Sequence, residues 1–375
     1  MDRRTYLATL GSTGLGAVAG CLSTGKTEST SADFDPQTGP TGNESDATNS
    51  PDVPSLADVP ALSGELTVYL GRGEGGLYKR LLTYLEEKRY EDFSLSIRRN
   101  SSASLANTII EEEKSGSSPA DVFWSIDAGS LGIIAKRGLA DPLPRDLLKV
   151  LPSQFYDSKR RWVGVSGRAR SIPYNTETYS ESDIPSDVMA FPDRPAFDSQ
   201  MGWAPRYGAF QAFVTAMRLT TSEDRTRSWL RGMLDSGVRS YSGEFQLTNA
   251  IAEGELGAGF ANHYYTLRLK EAKPDAPLSL AFTSNDAGAL VNASGVLRLA
   301  SSEKPVLAEN FIRHLLTREV QSFLAREAYE YPLVPGIDPP GSLPPIGELN
   351  PPDVDLTKLA DVKETLRMLR RVGVL

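Results

Sequence analysis

The chain has 375 residues, with 40 Lys and Arg against 48 Asp and Glu, a formal net charge of −8 and a single cysteine. The acidic balance argues against a nucleic-acid partner, which demands basic patches, and one cysteine excludes an internal disulfide. Once the polar amino-terminal stretch is set aside, about 310 residues of ordinary globular composition remain, enough for one large or two medium domains.

Residues 1–20 open with Arg3 and Arg4 and continue through a weakly apolar run, Leu7 to Gly20. That run is too short to span a bilayer, which needs roughly 20 apolar residues. It reads as a secretory signal of the twin-arginine kind. Cys21 follows directly on Ala17-Val18-Ala19-Gly20, a stretch that resembles a lipoprotein box, in which the cysteine is lipidated and becomes the mature N-terminus. Residues 21–61 form a tether of Ser, Thr, Gly, Pro, Asn and acids, with Phe34 the only aromatic. Such a segment buries too little apolar surface to offset its ordering entropy. Asn43-Glu44-Ser45 within it is a glycosylation sequon. The chain is therefore expected to be exported and held by a lipid at the outer face of the cytoplasmic membrane.

The globular part begins with "GELTVYLG", an alternating β-rich stretch at 64–71, followed by a glycine loop at 71–76 and a helical pattern at 77–91. "FSLSIRRN" (93–100) reads as a second strand, "SASLANTIIEEEKSG" as a helix capped at Ser102 or Ser104, and "ADVFWSI" (120–126) as a third strand before a helix at 128–139. Strands alternating with helices imply an α/β fold with a parallel sheet covered on both faces. Farther on, 305–327 reads as one helical stretch and 356–373 as a final helix. Gly71-x-Gly73-x-x-Gly76 matches a dinucleotide fingerprint, which keeps an oxidoreductase among the alternatives. A nicotinamide cofactor is hard to sustain outside the cell, and a glycine loop at a helix N-terminus suits any small anion. There is no Ser-His-Asp set in a GxSxG elbow, no HExxH and no CxxC.

Six collinear segments carry more information than any motif alone. They are "PADVFWSIDAGSLG" (119–132), "VGVSGRAR" (163–170), "GWAPRYGAF" (202–210), "NHYYTLR" (262–268), "DAGALVNASGVLRL" (286–299) and "YEYPLV" (329–334). In this order the chain, from about residue 63 to its C-terminus, resembles the periplasmic ferric-ion-binding proteins of ABC iron importers. The resemblance implies a two-lobed periplasmic-binding-protein fold (type II) with hinge strands between the lobes. Lobe 1 would comprise 63–168 plus 295–340 and lobe 2 169–294 plus 345–375, with the solute held in the cleft. It also implies an ABC permease as partner, a monomer, and a binding protein that is not an enzyme.

By the same resemblance Tyr264 and Tyr265 are metal ligands and Tyr207 is a third. Fe³⁺ is a hard cation that prefers oxygen donors, and its charge keeps phenols deprotonated although they titrate near pH 10 in water. Neighbouring tyrosines point to opposite faces of a strand, so both can face one ion only where the backbone turns. The passage from "GAGFAN" to "YYTLRLKEA" is such a strand-to-helix junction. Arg168 is expected to grip a carbonate through two parallel hydrogen bonds, aided by Asn262. A surface ion pair is the competing reading for Arg168 and the preferred one for Arg170. The chain departs from the family pattern where His and Glu ligands often sit: Gly73 stands in one place with Glu74 beside it as an outside candidate, and Ile126 in the other with Asp127 next. Glu244 replaces an expected Asn. His263 reads as lying behind the site or on the surface, and His314 as structural. The missing His and Glu keep a second alternative open, the same fold carrying thiamine, a polyamine, a phosphonate or an oxyanion.

Overall fold

A strand of 13 residues, Val163–Asn175, with every residue buried, runs through the middle of the computed structural model. The described residues are 53–72, 77–341 and 343–375, all inside one compact unit, Phe34–Leu375. The expectations for residues 1–52, including Cys21 and the sequon, and for Gly73 and Glu74 in the glycine loop lie outside them.

The amino-terminal third repeats a strand–helix unit. β1 (Gly64–Gly71) leads through α1 (Leu77–Thr83), prolonged by a π-helical turn to Arg89, into β2 (Phe93–Asn100). α2 (Ser102–Ser115), β3 (Val122–Ser125) and α3 (Ala128–Lys136) follow. β1 pairs in parallel with both β2 and β3, as the alternation of strands and helices predicts. The cap of α2 is Ser101, which accepts from the Ser104 N–H, rather than Ser102 or Ser104. Ser102 serves elsewhere. Its Oγ accepts from the Ile126 N–H at 3.0 Å and ties the helix to the end of β3.

After the short α4 (Arg145–Leu148) comes the long strand, β4. Beyond it lie β5 (Met201–Trp203), α5 (Gly208–Thr220), α6 (Glu223–Asp235), β6 (Arg239–Ser240), α7 (Glu244–Ala252) and β7 (Ala258–Gly259). β8 (Ala261–Asn262), α8 (His263–Ala272), β9 (Leu278–Ala281) and β10 (Val291–Arg298) complete the return. β4 belongs to both groups of strands. Its residues 163–169 pair antiparallel with β10, which is itself antiparallel to β3, whereas 170–175 pair with β8 and β9. The changeover falls between Ala169 and Arg170.

The stretch read as one helix at 305–327 is two, α9 (Pro305–Leu315) and α10 (Arg318–Ala328), followed by β11 (Tyr331–Pro332) on β4. The Thr317 hydroxyl donates to the His314 carbonyl at 2.7 Å, a local bond that competes with helix continuation. The C-terminal stretch also divides, into a 3₁₀ turn at Leu356–Ala360 and α11 (Lys363–Val372). The turn lies on α3, and α11 leans on α5 and α6. Close approach is possible because α3 presents glycines. A Cβ on Gly129 would sit 2.4 Å from the Ala360 Cβ, and one on Gly132 2.5 Å from the Thr357 Cβ. Among the described residues no helix is long and apolar enough to cross a membrane.

Gly129→Val should destabilise the protein by about 1–3 kcal/mol through overpacking against the Ala360 backbone, read as a lowered Tm; an unchanged Tm would show that the turn lifts off freely. A pH dependence is also expected. Burial holds both His263 and His314 down at about 4. Unfolded histidines protonate near 6.5, so between those values the unfolded chain binds protons that the native one refuses. The stability they contribute is present above pH 6.5 and lost as pH falls towards 4. Urea midpoints should decline over that window, and less steeply in His314→Gln.

Candidate metal centre

Arg168 and Arg170 stand two positions apart on β4 and project from the same side of the strand. They are 8% and 3% exposed. A guanidinium taken out of water needs a counter-charge, and each finds its own. Arg168 donates from Nε and Nη2 to Glu330 Oε1 at 3.0 and 2.8 Å, and from Nη1 to the Ile126 carbonyl at 3.1 Å. Arg170 donates to the Glu244 carboxylate and to Asn262 Oδ1, the latter at 3.1 Å, and its guanidinium lies 5.3 Å from the centre of the Phe213 ring. Its Nη2 is buried without a hydrogen-bond partner. Both arginines form ion pairs, the competing reading for Arg168 and the preferred one for Arg170, but the pairs are buried and not on the surface.

Glu330 also accepts from the Tyr78 hydroxyl at 2.8 Å and from the Ser166 hydroxyl. Burial, and after it the charge of Glu330, pushes the Tyr78 phenol far above its ordinary range. Tyr78 is thus held as a neutral donor.

A second group of tyrosines has different surroundings. The strand-to-helix turn expected at "NHYY" is present: β8 ends at Asn262 and α8 starts at His263. In the first turn of α8 the Tyr264 and Tyr265 rings lie with centroids 4.5 Å apart, on one side instead of diverging. The Tyr207 hydroxyl is 2.7 Å from that of Tyr265. Asn262 Nδ2 donates to the Tyr264 hydroxyl at 3.1 Å, and the Arg268 guanidinium lies 4.9 Å from the Tyr264 ring centre. Tyr207 is the N-cap residue of α5 and Asn262 that of α8, and neither side chain caps its helix. Two helix N-termini, with their partial positive charge, therefore meet at this cluster.

Arg168, Arg170, Tyr207, Asn262 and Tyr264 line one cavity of about 390 Å³, and Tyr265 joins it through Tyr207. Among the described residues no three His, Cys, Asp or Glu side chains are grouped to hold a metal ion. Among the described residues, the side-chain oxygens that line the cavity include the phenols of Tyr207 and Tyr264 and the carboxylate of Asp127. His263 is fully buried, with Nδ1 3.2 Å from the Ala169 carbonyl and Nε2 2.7 Å from that of Tyr329, so it lies behind Tyr264 and not on the surface. His314 is structural, bridging the Asn310 carbonyl and the Tyr90 hydroxyl at 2.7 Å each.

Sequence reasoning missed Glu330, Tyr78 and the role of Glu244, whose Oε2 also accepts from the Asn262 N–H at 2.8 Å. The usable signal was the strand itself. Two arginines in a strand that holds no acid of its own demand two buried acids from elsewhere, and "YEYP" offers one between aromatics.

Residues 117–354 match the family described as bacterial extracellular solute-binding proteins. The chain is 30% identical over 325 residues to the major ferric iron-binding protein of Neisseria meningitidis serogroup B, spanning 85% of this chain and 95% of that one. It is 27% identical over 324 residues to iron uptake protein A1 of Synechocystis, spanning 83% and 87%. Among solved structures, iron-bound HitA from Pseudomonas aeruginosa aligns with a TM-score of 0.73 at 29% identity, covering 82% of this chain and 99% of that one.

Removing one partner of a buried ion pair typically costs about 3–5 kcal/mol. Glu330→Ala should therefore lower the urea midpoint strongly, and pairing Glu330→Leu with Arg168→Met should recover most of the loss. A double variant as unstable as the single one would show that the pair is not the source of the effect.

Proposed function

The chain belongs to the bacterial extracellular solute-binding protein family, among the ferric-ion-binding periplasmic proteins, and on that premise we propose that it binds ferric iron through the phenolates of Tyr207, Tyr264 and Tyr265 together with a small anion such as carbonate. Members of the family capture solutes and are not enzymes, and they share a two-lobed type II α/β fold. The observation that carries the proposal is the meeting of three tyrosines at two helix N-termini. Each phenol must give up a proton that it holds to about pH 10 in water. The ion supplies most of that driving force, and the helix ends and Arg268 favour the same anionic form. Three phenolates then balance the 3+ charge of the cation.

The anion is assigned to Arg170 and Asn262 as well as to Arg168. Arg168 commits two of its donors to Glu330, whereas Arg170 keeps a buried Nη2 in reserve. Closure would bring lobe 1 (63–168 plus 295–340) onto lobe 2 (169–294 plus 345–375), with the crossing strand β4 as a hinge. A membrane permease of an ABC importer would recognise the closed, loaded monomer. Cys21 would carry the lipid that keeps the protein at the cell surface, and Glu74 stays an outside candidate for a further ligand.

A ferric titration with bicarbonate present tests this directly. A visible phenolate-to-iron charge-transfer band should saturate near one iron per protein, and Tyr207→Phe, Tyr264→Phe and Tyr265→Phe should each weaken binding by more than about tenfold. Absence of the band with every anion tried would remove the ferric reading.

A further inference from the structure

The cleft is larger and more apolar than an ion with a carbonate requires. Its volume of about 390 Å³ falls among small-molecule sites, roughly 300–1,000 Å³, whereas a water takes about 30 Å³ and a carbonate only a few times that. Away from the phenols the wall is mostly apolar, with Ile126 after β3, Ile133 on α3, Leu290 before β10, Leu359 on the C-terminal turn and Val362 at the N-cap of α11, and Asp127 is the one carboxylate among the described lining residues. An apolar wall does nothing for a bare cation, but it suits a flat organic body. Two buried polar atoms on residues lining this cavity have no partner, the donor Nη2 of Arg170 and the acceptor Oδ1 of Asn292. They differ in sense: fully ionised carbonate, which offers acceptors only, answers the first and not the second, whereas a ligand carrying both an anionic oxygen and an O–H answers both.

Resting on the ferric reading above, we propose that the cleft takes its iron together with an aromatic hydroxy acid, a planar apolar ring bearing a carboxylate and hydroxyl oxygens. The carboxylate answers Arg170, a hydroxyl answers Asn292, the oxygen edge of the ring reaches the iron, and its carbon face covers the apolar wall. The C-terminal stretch thereby becomes a specificity element, since its turn supplies Leu359 and the start of α11 supplies Val362.

The test loads the full chain with ferric iron and bicarbonate, citrate or 2,3-dihydroxybenzoate, removes free ligand, and reads what stays bound by native mass spectrometry and titration. The wild-type protein should retain iron and the aromatic acid one to one, with affinity at least about tenfold above the bicarbonate form, the order expected from burying most of a ring. Ile133→Trp and Val362→Trp, which fill the apolar wall, should abolish that gain and leave bicarbonate-supported binding unchanged. Dihydroxybenzoate missing from the retained wild-type complex overturns the inference without needing any variant. So does citrate retained equally well, or tryptophan variants that hold the aromatic acid as tightly as wild type. Iron lost with all three anions would instead sink the ferric reading on which the inference rests.

Discussion

Everything near the cleft is organised by one demand, the burial of two guanidinium groups on a single strand. The desolvation penalty for such an ion is several kcal/mol even after relaxation, and Arg168 and Arg170 meet it separately. Glu330 is brought back from 162 positions later in the chain and Glu244 from 74. The two carboxylates come from the two groups of elements that β4 joins, because the strand changes partners between Ala169 and Arg170. The electrostatics of the arginines and the topology of the strand are therefore one constraint. A chain that failed to close either pair would leave a bare charge in the core.

That constraint also sorts the tyrosines. Tyr78 is fully buried against Glu330, and burial first and that carboxylate second oppose its ionisation more than the nearby Arg168 favours it. Tyr207, Tyr264 and Tyr265 sit where two helices begin and where Arg268 lies close. The same side chain is held as a proton donor beside a buried carboxylate in one place and stands at two helix starts beside a guanidinium in the other. Sequence numbering hides this, since nothing in the residue type distinguishes Tyr78 from Tyr207.

The legible parts of the fold were those governed by short-range periodicity. β1, β2 and β3 alternate, and their parallel pairing follows from the helices between them. The turn at "NHYY" was legible because two adjacent tyrosines beside Asn and His gain a common role only at a strand-to-helix junction. What escaped was set by contacts distant in sequence or by choices among equals. Ser101, Ser102 and Ser104 are chemically interchangeable as caps, and only the nearness of Ile126 takes Ser102 out of contention. The break at Thr317 turns on one hydroxyl bond. The seat of the C-terminal turn on Gly129 and Gly132 depends on an approach that no local pattern announces.

Asn262 shows what such a site asks of the fold. Asparagine is among the best helix caps, worth about 1 kcal/mol in that role, and this one stands at the N-cap of α8 without capping it. Its oxygen accepts from Arg170, its amide donates to Tyr264, and its own backbone N–H is held by Glu244. The helix forgoes a stabilising bond so that a single amide can join a cation to a phenol. Turned back onto its own helix, the amide would only cap it; turned outward, it ties the buried Arg170–Glu244 pair to Tyr264, so that a disturbance of either is passed to the other.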